Sequence, residues 1–200
     1  SVQLMACKWL DAFGFGYIEG AIAAVQYATE NGASIMNNSW GGLPFSSALL
    51  DLIIEARNRG ALFVCAAGTE GSNNDEVEVY PANYAVDNVL SVAALDRADR
   101  LADFSNYGVD KVHLGAPGVD IYSSVSSSDS AYDFYSGTSM AAPHVCGVPL
   151  LSGRVFRAEP LGDLIPPEWG TFRDGTGSFR SWPTSGGPDG HFVAVLRRGF

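Results

Sequence analysis

Apolar positions along the first half of the chain alternate between two periods, short continuous runs and stripes with helical spacing. Leu4 to Leu10 is a short apolar run that closes at Asp11 and a turn holding Gly14 and Gly16, which predicts a buried strand. Ile18, Ala21, Ile22, Val25 and Ala28 recur every three or four positions, as one face of a helix requires, and Asn31-Gly32 supplies a left-handed stop. Ser34 to Asn38 predicts a second strand running into Gly41-Gly42. Leu49, Leu50, Ile53 and Ile54 mark a second helix ended by Gly60, and Ala61 to Ala67 a strand closing at Gly68. Further strands are predicted at Val89 to Ala94 and Val112 to Leu114, then a turn-rich stretch to Gly137, then a helix opening at Ser139. Pro149 within that helix predicts a kink or stop near Val148, because an interior proline costs about 3 kcal/mol or more.

Strands alternating with helices through short connections predict an α/β fold with a parallel sheet built from right-handed crossovers. In such sheets function gathers at the carboxyl ends of the strands, here Ser39 to Gly42 and Gly68 to Gly71. The pattern breaks at Gly153. Beyond it six basic residues face five acidic ones, against six and seventeen before it, and half of the ten prolines fall there. Stretches such as Ile165-Pro166-Pro167 and Ser185-Gly186-Gly187-Pro188 carry neither period. The expected organisation is therefore a domain over residues 1–152 and a divergent, poorly ordered Pro/Gly-rich tail over 153–200, from divergence, alternative splicing or a frame error.

At 200 residues the chain can bury one sizeable core, and a net charge of −10 excludes the basic face that nucleic-acid backbones require. The longest clean apolar run, Ala61 to Ala67, is far short of the roughly 20 residues of a membrane span. Cys7, Cys65 and Cys146 are odd in number and set in apolar stretches, which predicts buried free thiols rather than a disulfide frame or metal site. The chain opens on Ser1 without a leader, and is expected to be truncated at its front.

Candidate chemistry centres on Ser136-Gly137-Thr138-Ser139-Met140-Ala141-Ala142-Pro143-His144. An extended, glycine-bearing segment turns into a helix there, so the Ser139 hydroxyl would stand at a helix N-terminus beside amides without intrahelical acceptors. Such a hydroxyl can attack a carbonyl while its own amide donates to the developing oxyanion. A Gly-Thr-Ser turn is also a common N-cap, so the turn alone leaves both readings open.

The longer stretch Gly137 to His144 resembles the active-serine motif of the subtilisin-like serine proteases. With Asn38-Ser39-Trp40-Gly41-Gly42, Ala66-Ala67-Gly68, Tyr80-Pro81-Ala82 and Ala116-Pro117-Gly118 in order, the resemblance covers about Leu4 to Gly147. It implies a three-layer αβα fold, incomplete on its N-terminal side, and peptide-bond hydrolysis through an acyl-enzyme on Ser139. By the same resemblance Ser39, Trp40 and Gly41 pair with an extended polypeptide substrate, and Ala66, Ala67 and Gly68 floor the pocket for the residue before the scissile bond. Tyr80-Pro81 matches a position that is often cis in the family. The resemblance also implies a secreted or secretory-pathway location and a pro-peptide in the full-length protein; no cofactor is assigned, and since several subtilisin-like proteins bind structural calcium, the full-length protein could do so. Asn73 to Glu78 concentrates oxygen ligands, but without the spacing of a calcium loop it is read as solvated, and no metal is assigned.

Two departures bear on activity. The family's aspartate and histidine motifs have no counterpart, so this chain alone is expected to be inactive. His144 lies five residues after Ser139, about 500° around an ideal helix, and diverges from it, while His113 and His191 carry no motif. Thr69 stands where the family usually has its oxyanion asparagine, offering a shorter donor. A non-catalytic module that holds extended peptides is the alternative. An α/β-hydrolase is disfavoured because Ala141 replaces the final glycine of Gly-x-Ser-x-Gly.

Overall fold

The computed structural model describes residues 3–152, with residues 156–157 and 197–198 paired as a short antiparallel ladder. The expected tail over 153–200 lies otherwise outside the described residues. In chain order the elements are α1 (Ile18–Glu30), β1 (Ile35–Asn38), α2 (Ser47–Asn58), β2 (Leu62–Ala66), β3 (Val89–Leu95), β4 (Leu114–Pro117), β5 (Ile121–Ser124), β6 (Tyr132–Tyr135) and α3 (Thr138–Ser152).

Strands β1 to β4 form one parallel sheet in sequence order. Each parallel step needs a crossover, and among the described residues one of them, from β1 to β2, is a helix, α2; α1 precedes β1 and packs on the same face, while the connections from β2 to β3 and β3 to β4 hold no helix. Val25 and Ala28 of α1 and Leu49, Ile53 and Ala56 of α2 pack with Met36, Phe63, Cys65 and Val89 in one core cluster. Side chains alternate across a strand, so Leu62, Val64, Leu90, Val92, Ala94 and Ala116 face the other way, onto Ala141, Ala142, Val145 and Cys146 of α3. The result is a three-layer αβα arrangement with α3 under the sheet. β2 and β3 are apolar at almost every position because both faces are covered.

Four expectations need correction. Leu4 to Leu10 forms no strand, and Leu4 is 91% exposed. An apolar run becomes a strand only where a ladder receives it, and among the described residues the segment instead lays Trp9 against Gly16 and Gly20 at the start of α1. The strand expected at Val112 to Leu114 is displaced to Leu114–Pro117, where Pro117 is its final residue and sits on an edge that needs no amide from it. The turn-rich stretch contains the antiparallel β5–β6 hairpin, whose Tyr122 stacks with Tyr132 and packs against Phe134 on an exposed face. α3 continues past Pro149 to Ser152, since one missing amide removes a single helical bond while its neighbours keep theirs.

The displaced register gives His113 a structural task. Its backbone amide donates to Ser91 O (3.0 Å), and its Nδ1 accepts from the Ser91 amide (2.9 Å). Burial, and then the charge of Lys111, hold its pKa below the ordinary 6.5. The unfolded chain therefore takes up the proton first as pH falls. The stabilising contribution is present above pH 6.5 and is lost as pH drops toward the depressed native value. Urea melts between pH 7 and 5 should show this loss, and His113→Gln, which keeps an acceptor but does not titrate, should flatten it.

Candidate active site

Ser139 sits on the second residue of α3, half-buried, where the segment leaving β6 turns into the helix. Gly137 N donates to Gly118 O (2.8 Å) and Asp120 N to Ser136 Oγ (2.9 Å), which fixes the approach to the turn. Met140 N and Ala141 N close on Gly137 O, starting the helix. The Ser139 amide has no acceptor among the described residues and points from the positive end of the helix.

The serine is coupled to the end of β1 by a reciprocal pair of bonds. Ser39 Oγ donates to Ser139 O (2.7 Å), and Ser139 Oγ donates to Ser39 O (3.3 Å). The second is long, so the hydroxyl is presented without being locked. Trp40 donates its indole N–H to Asn38 Oδ1 (3.2 Å), meets Trp9 edge-on (centroids 5.0 Å apart) and packs half-buried against the α1/α2 core cluster. Gly41 is exposed, and a Cβ there would lie 3.5 Å from Tyr80 O. Tyr80-Pro81 is cis.

Beside the serine turn lies the loop after β2. Thr138 Oγ1 donates to Gly68 O and accepts from Gly68 N, both at 3.2 Å, so the residue before the serine clamps Gly68. Ala66 and Ala67 are fully packed beneath, with 5% and 0% exposure. Thr69 is exposed at the loop apex, and a Cβ on Gly137 would stand 3.9 Å from its Cγ2. The Thr69 hydroxyl makes no hydrogen bond among the described residues.

The fold thus brings together Ser139, Ser39, Gly68 and Thr69, with Gly41 and Trp40 on the flank. Among the described residues it does not bring a histidine. His144 is exposed and its Nδ1 bonds Met140 O (2.9 Å), His113 is held at Ser91, and His191 lies outside the described residues. A broad cavity of about 1440 Å³ runs along the β1 edge between α1 and α3. It reaches Ser39 and Trp40 but is not lined by Ser139, Gly68 or Thr69.

Three buried asparagines have no counterpart in the sequence reading. Asn74, with 0% exposure, donates Nδ2 to Ala67 O, Asn83 donates to Asn74 O, and Asn106 donates to Asn74 Oδ1. In the stretch Asn73 to Glu78, Asn73 is half-buried, Asn74 buried and Asp75 to Glu78 exposed, so the solvated reading fails at Asn74. No local signal marks them, since all three lie in the connections between strands and meet only in the folded chain. No group of three or more His, Cys, Asp or Glu side chains that could hold a metal occurs among the described residues. Cys65 and Cys146 are buried free thiols and Cys7 is half-buried; burial pushes Cys65 well up and Cys146 up to about 12.

Gly68 is the most constrained position of the site. Its φ is +116°, and a Cβ would collide with Asn106 Nδ2 and approach Glu70 Oε2 to 2.6 Å. Asn106 cannot retreat, because its amide is bonded on both sides. Gly68→Ala is expected to destabilise this chain by about 2 kcal/mol or more in urea melts, and the double variant with Asn106→Ala to lose less than the sum of the two single losses, because the clash is removed while the strain of the positive φ remains.

Residues 1–154 match the subtilase family. The chain is similar to the thermophilic serine proteinase of Bacillus sp. (strain AK1), 40% identical over 151 residues, covering 76% of this chain and 36% of that protein. It is 38% identical to subtilisin DY of Bacillus licheniformis over 152 residues, covering 76% of this chain and 54% of that one. Among solved structures it superposes on a cold adapted subtilisin-like serine proteinase with a TM-score of 0.64 and 35% identity, over 72% of this chain and 51% of that chain. The chain spans about half or less of the length of these relatives.

Proposed function

The chain belongs to the subtilase family, and from that premise we propose that it forms the nucleophile-bearing part of a serine endopeptidase, with Ser139 as nucleophile. The observation that carries this reading is the reciprocal Ser39–Ser139 pair at a helix N-terminus. It joins the serine to the segment along which an extended polypeptide would lie.

In the proposed reaction Ser139 Oγ attacks the scissile carbonyl and loses its proton to a general base. The developing oxyanion receives the Ser139 amide and the Thr69 hydroxyl. The leaving amine departs protonated, and water then hydrolyses the acyl-enzyme. Neither described histidine bonds Ser139, so the base is assigned to the additional chain that the longer relatives possess. The small side chains of Ala66 and Ala67 beside Gly68 favour a large apolar residue before the scissile bond. The family further suggests a secreted protein made with a pro-peptide.

A non-catalytic peptide-binding module is the second reading, favoured specifically by the unbonded Thr69 at the oxyanion position. Chromogenic peptides carrying a large apolar residue before the scissile bond separate the two. Cleavage by the full-length protein supports the enzyme; saturable binding without cleavage supports the module.

A further inference from the structure

We infer that Asn106 is the positioning residue of the oxyanion loop, the group that fixes Thr69 relative to Ser139. The inference rests on the endopeptidase reading and deepens it.

Residues 68–72 form no helix or strand, so their geometry must be imposed from outside. Asn106 imposes it from the centre. Its side chain is fully buried and lies inside the curve of the loop. Oδ1 accepts from the Glu70 amide (2.9 Å) and the Ser72 amide (3.1 Å), the donors on either side of Gly71. Nδ2 donates to Asn74 Oδ1 (3.0 Å), and Asn74 Nδ2 in turn donates to Ala67 O (2.9 Å), the residue that enters the loop. The backbone amide of Asn106 donates to Gly68 O (3.0 Å). One residue thus bonds Gly68, Glu70 and Ser72 directly and Ala67 through Asn74, and Thr69 is the apex between these points.

Alternation explains why an amide is needed there. A carboxamide can accept two amides on its oxygen and donate from its nitrogen at the same time, whereas an aliphatic side chain would leave the part-buried Glu70 and Ser72 amides and the buried Asn74 Oδ1 without these partners. Thr138 Oγ1 holds Gly68 on the entry side of the apex, and the Gly71 amide, bonded to Phe104 O (2.9 Å), and the Tyr107 amide, bonded to Ser72 O (3.0 Å), hold the loop's far end. The side chain that fixes the exit side of Thr69, at Glu70 and Ser72, is Asn106, so the distance from Thr69 to Ser139 depends on Asn106 together with Thr138, although Asn106 touches neither substrate nor serine.

The test uses the full-length protein and a chromogenic peptide. Asn106→Ala is expected to lower kcat at least tenfold with a smaller change in KM, because the segment Ser39 to Gly41 is untouched and Gly68 keeps its bonds to Thr138 Oγ1 and to the backbone amide of residue 106. Asn106→Asp, which keeps the acceptor for Glu70 and Ser72 but loses the donor to Asn74 Oδ1, should recover only part of that loss. Asn83→Ala, which removes support from Asn74 O and the Val79 amide but makes no bond to residues 68–72, controls for general loosening and should leave kcat within about threefold. Hydrogen exchange should show the Glu70 and Ser72 amides exposed at least a hundredfold more in Asn106→Ala, with the β2 and β3 amides unchanged. An active protein whose kcat survives Asn106→Ala, or falls equally in Asn83→Ala, overturns the inference alone. A full-length protein that neither cleaves nor reacts at Ser139 overturns the endopeptidase reading, and this inference with it.

Discussion

Replacing Ser139 with alanine in the full-length protein is expected to abolish peptide hydrolysis while leaving the fold intact. The hydroxyl makes one long bond, to Ser39 O at 3.3 Å, and its loss from a half-buried site costs little stability. The catalytic effect is of a different size. Removing the serine of a subtilisin lowers kcat on the order of 10⁶-fold, a magnitude measured on that enzyme rather than derived from this geometry. The residue of activity would come from binding and the oxyanion donors alone. Melting curves superimposable with wild type, alongside the loss of turnover, would separate a chemical role from a structural one.

Thr69→Asn is expected to raise turnover about tenfold or more with little change in KM. Thr69 occupies the apex of a loop held by Gly68, Glu70 and Ser72, with Cγ2 directed toward the serine turn and its hydroxyl unbonded among the described residues. A carboxamide reaches one bond further than a threonine hydroxyl and offers two donors. Loss of such a donor costs about 10²- to 10³-fold in a subtilisin, again a measured rather than a derived figure, and threonine retains part of it. Because the donor acts on charge that develops only in the transition state, the gain should appear in kcat. Unchanged or lower turnover would mean that Thr69 does not face the oxyanion.

The central strands of the sheet were legible because Phe63, Val64, Leu90 and Val92 sit in strands covered on both sides, where composition and length agree. The helical stripes of α1 and α2 were legible for the same reason: Val25, Leu49 and Ile53 repeat at the helical period and reach the core. Leu4 to Leu10 misled because periodicity reports what a segment could bury, not whether a partner strand receives it. The β5–β6 hairpin escaped because its strands are exposed, mixing Ser123 and Asp133 with Tyr122 and Phe134, so no apolar face repeats. In the site, Ser139 and its helix start could be read locally. The asparagine lattice could not, since Asn74, Asn83 and Asn106 are brought together by tertiary structure across sequence separations of up to 32 residues.

Ser139 as an activated nucleophile is tested most directly by treating the full-length protein with a fluorophosphonate and locating the adduct by peptide mass spectrometry. A single adduct on Ser139, absent after Ser139→Ala, is the predicted result. An unmodified Ser139 in a folded full-length protein, or an adduct at another residue, would contradict it.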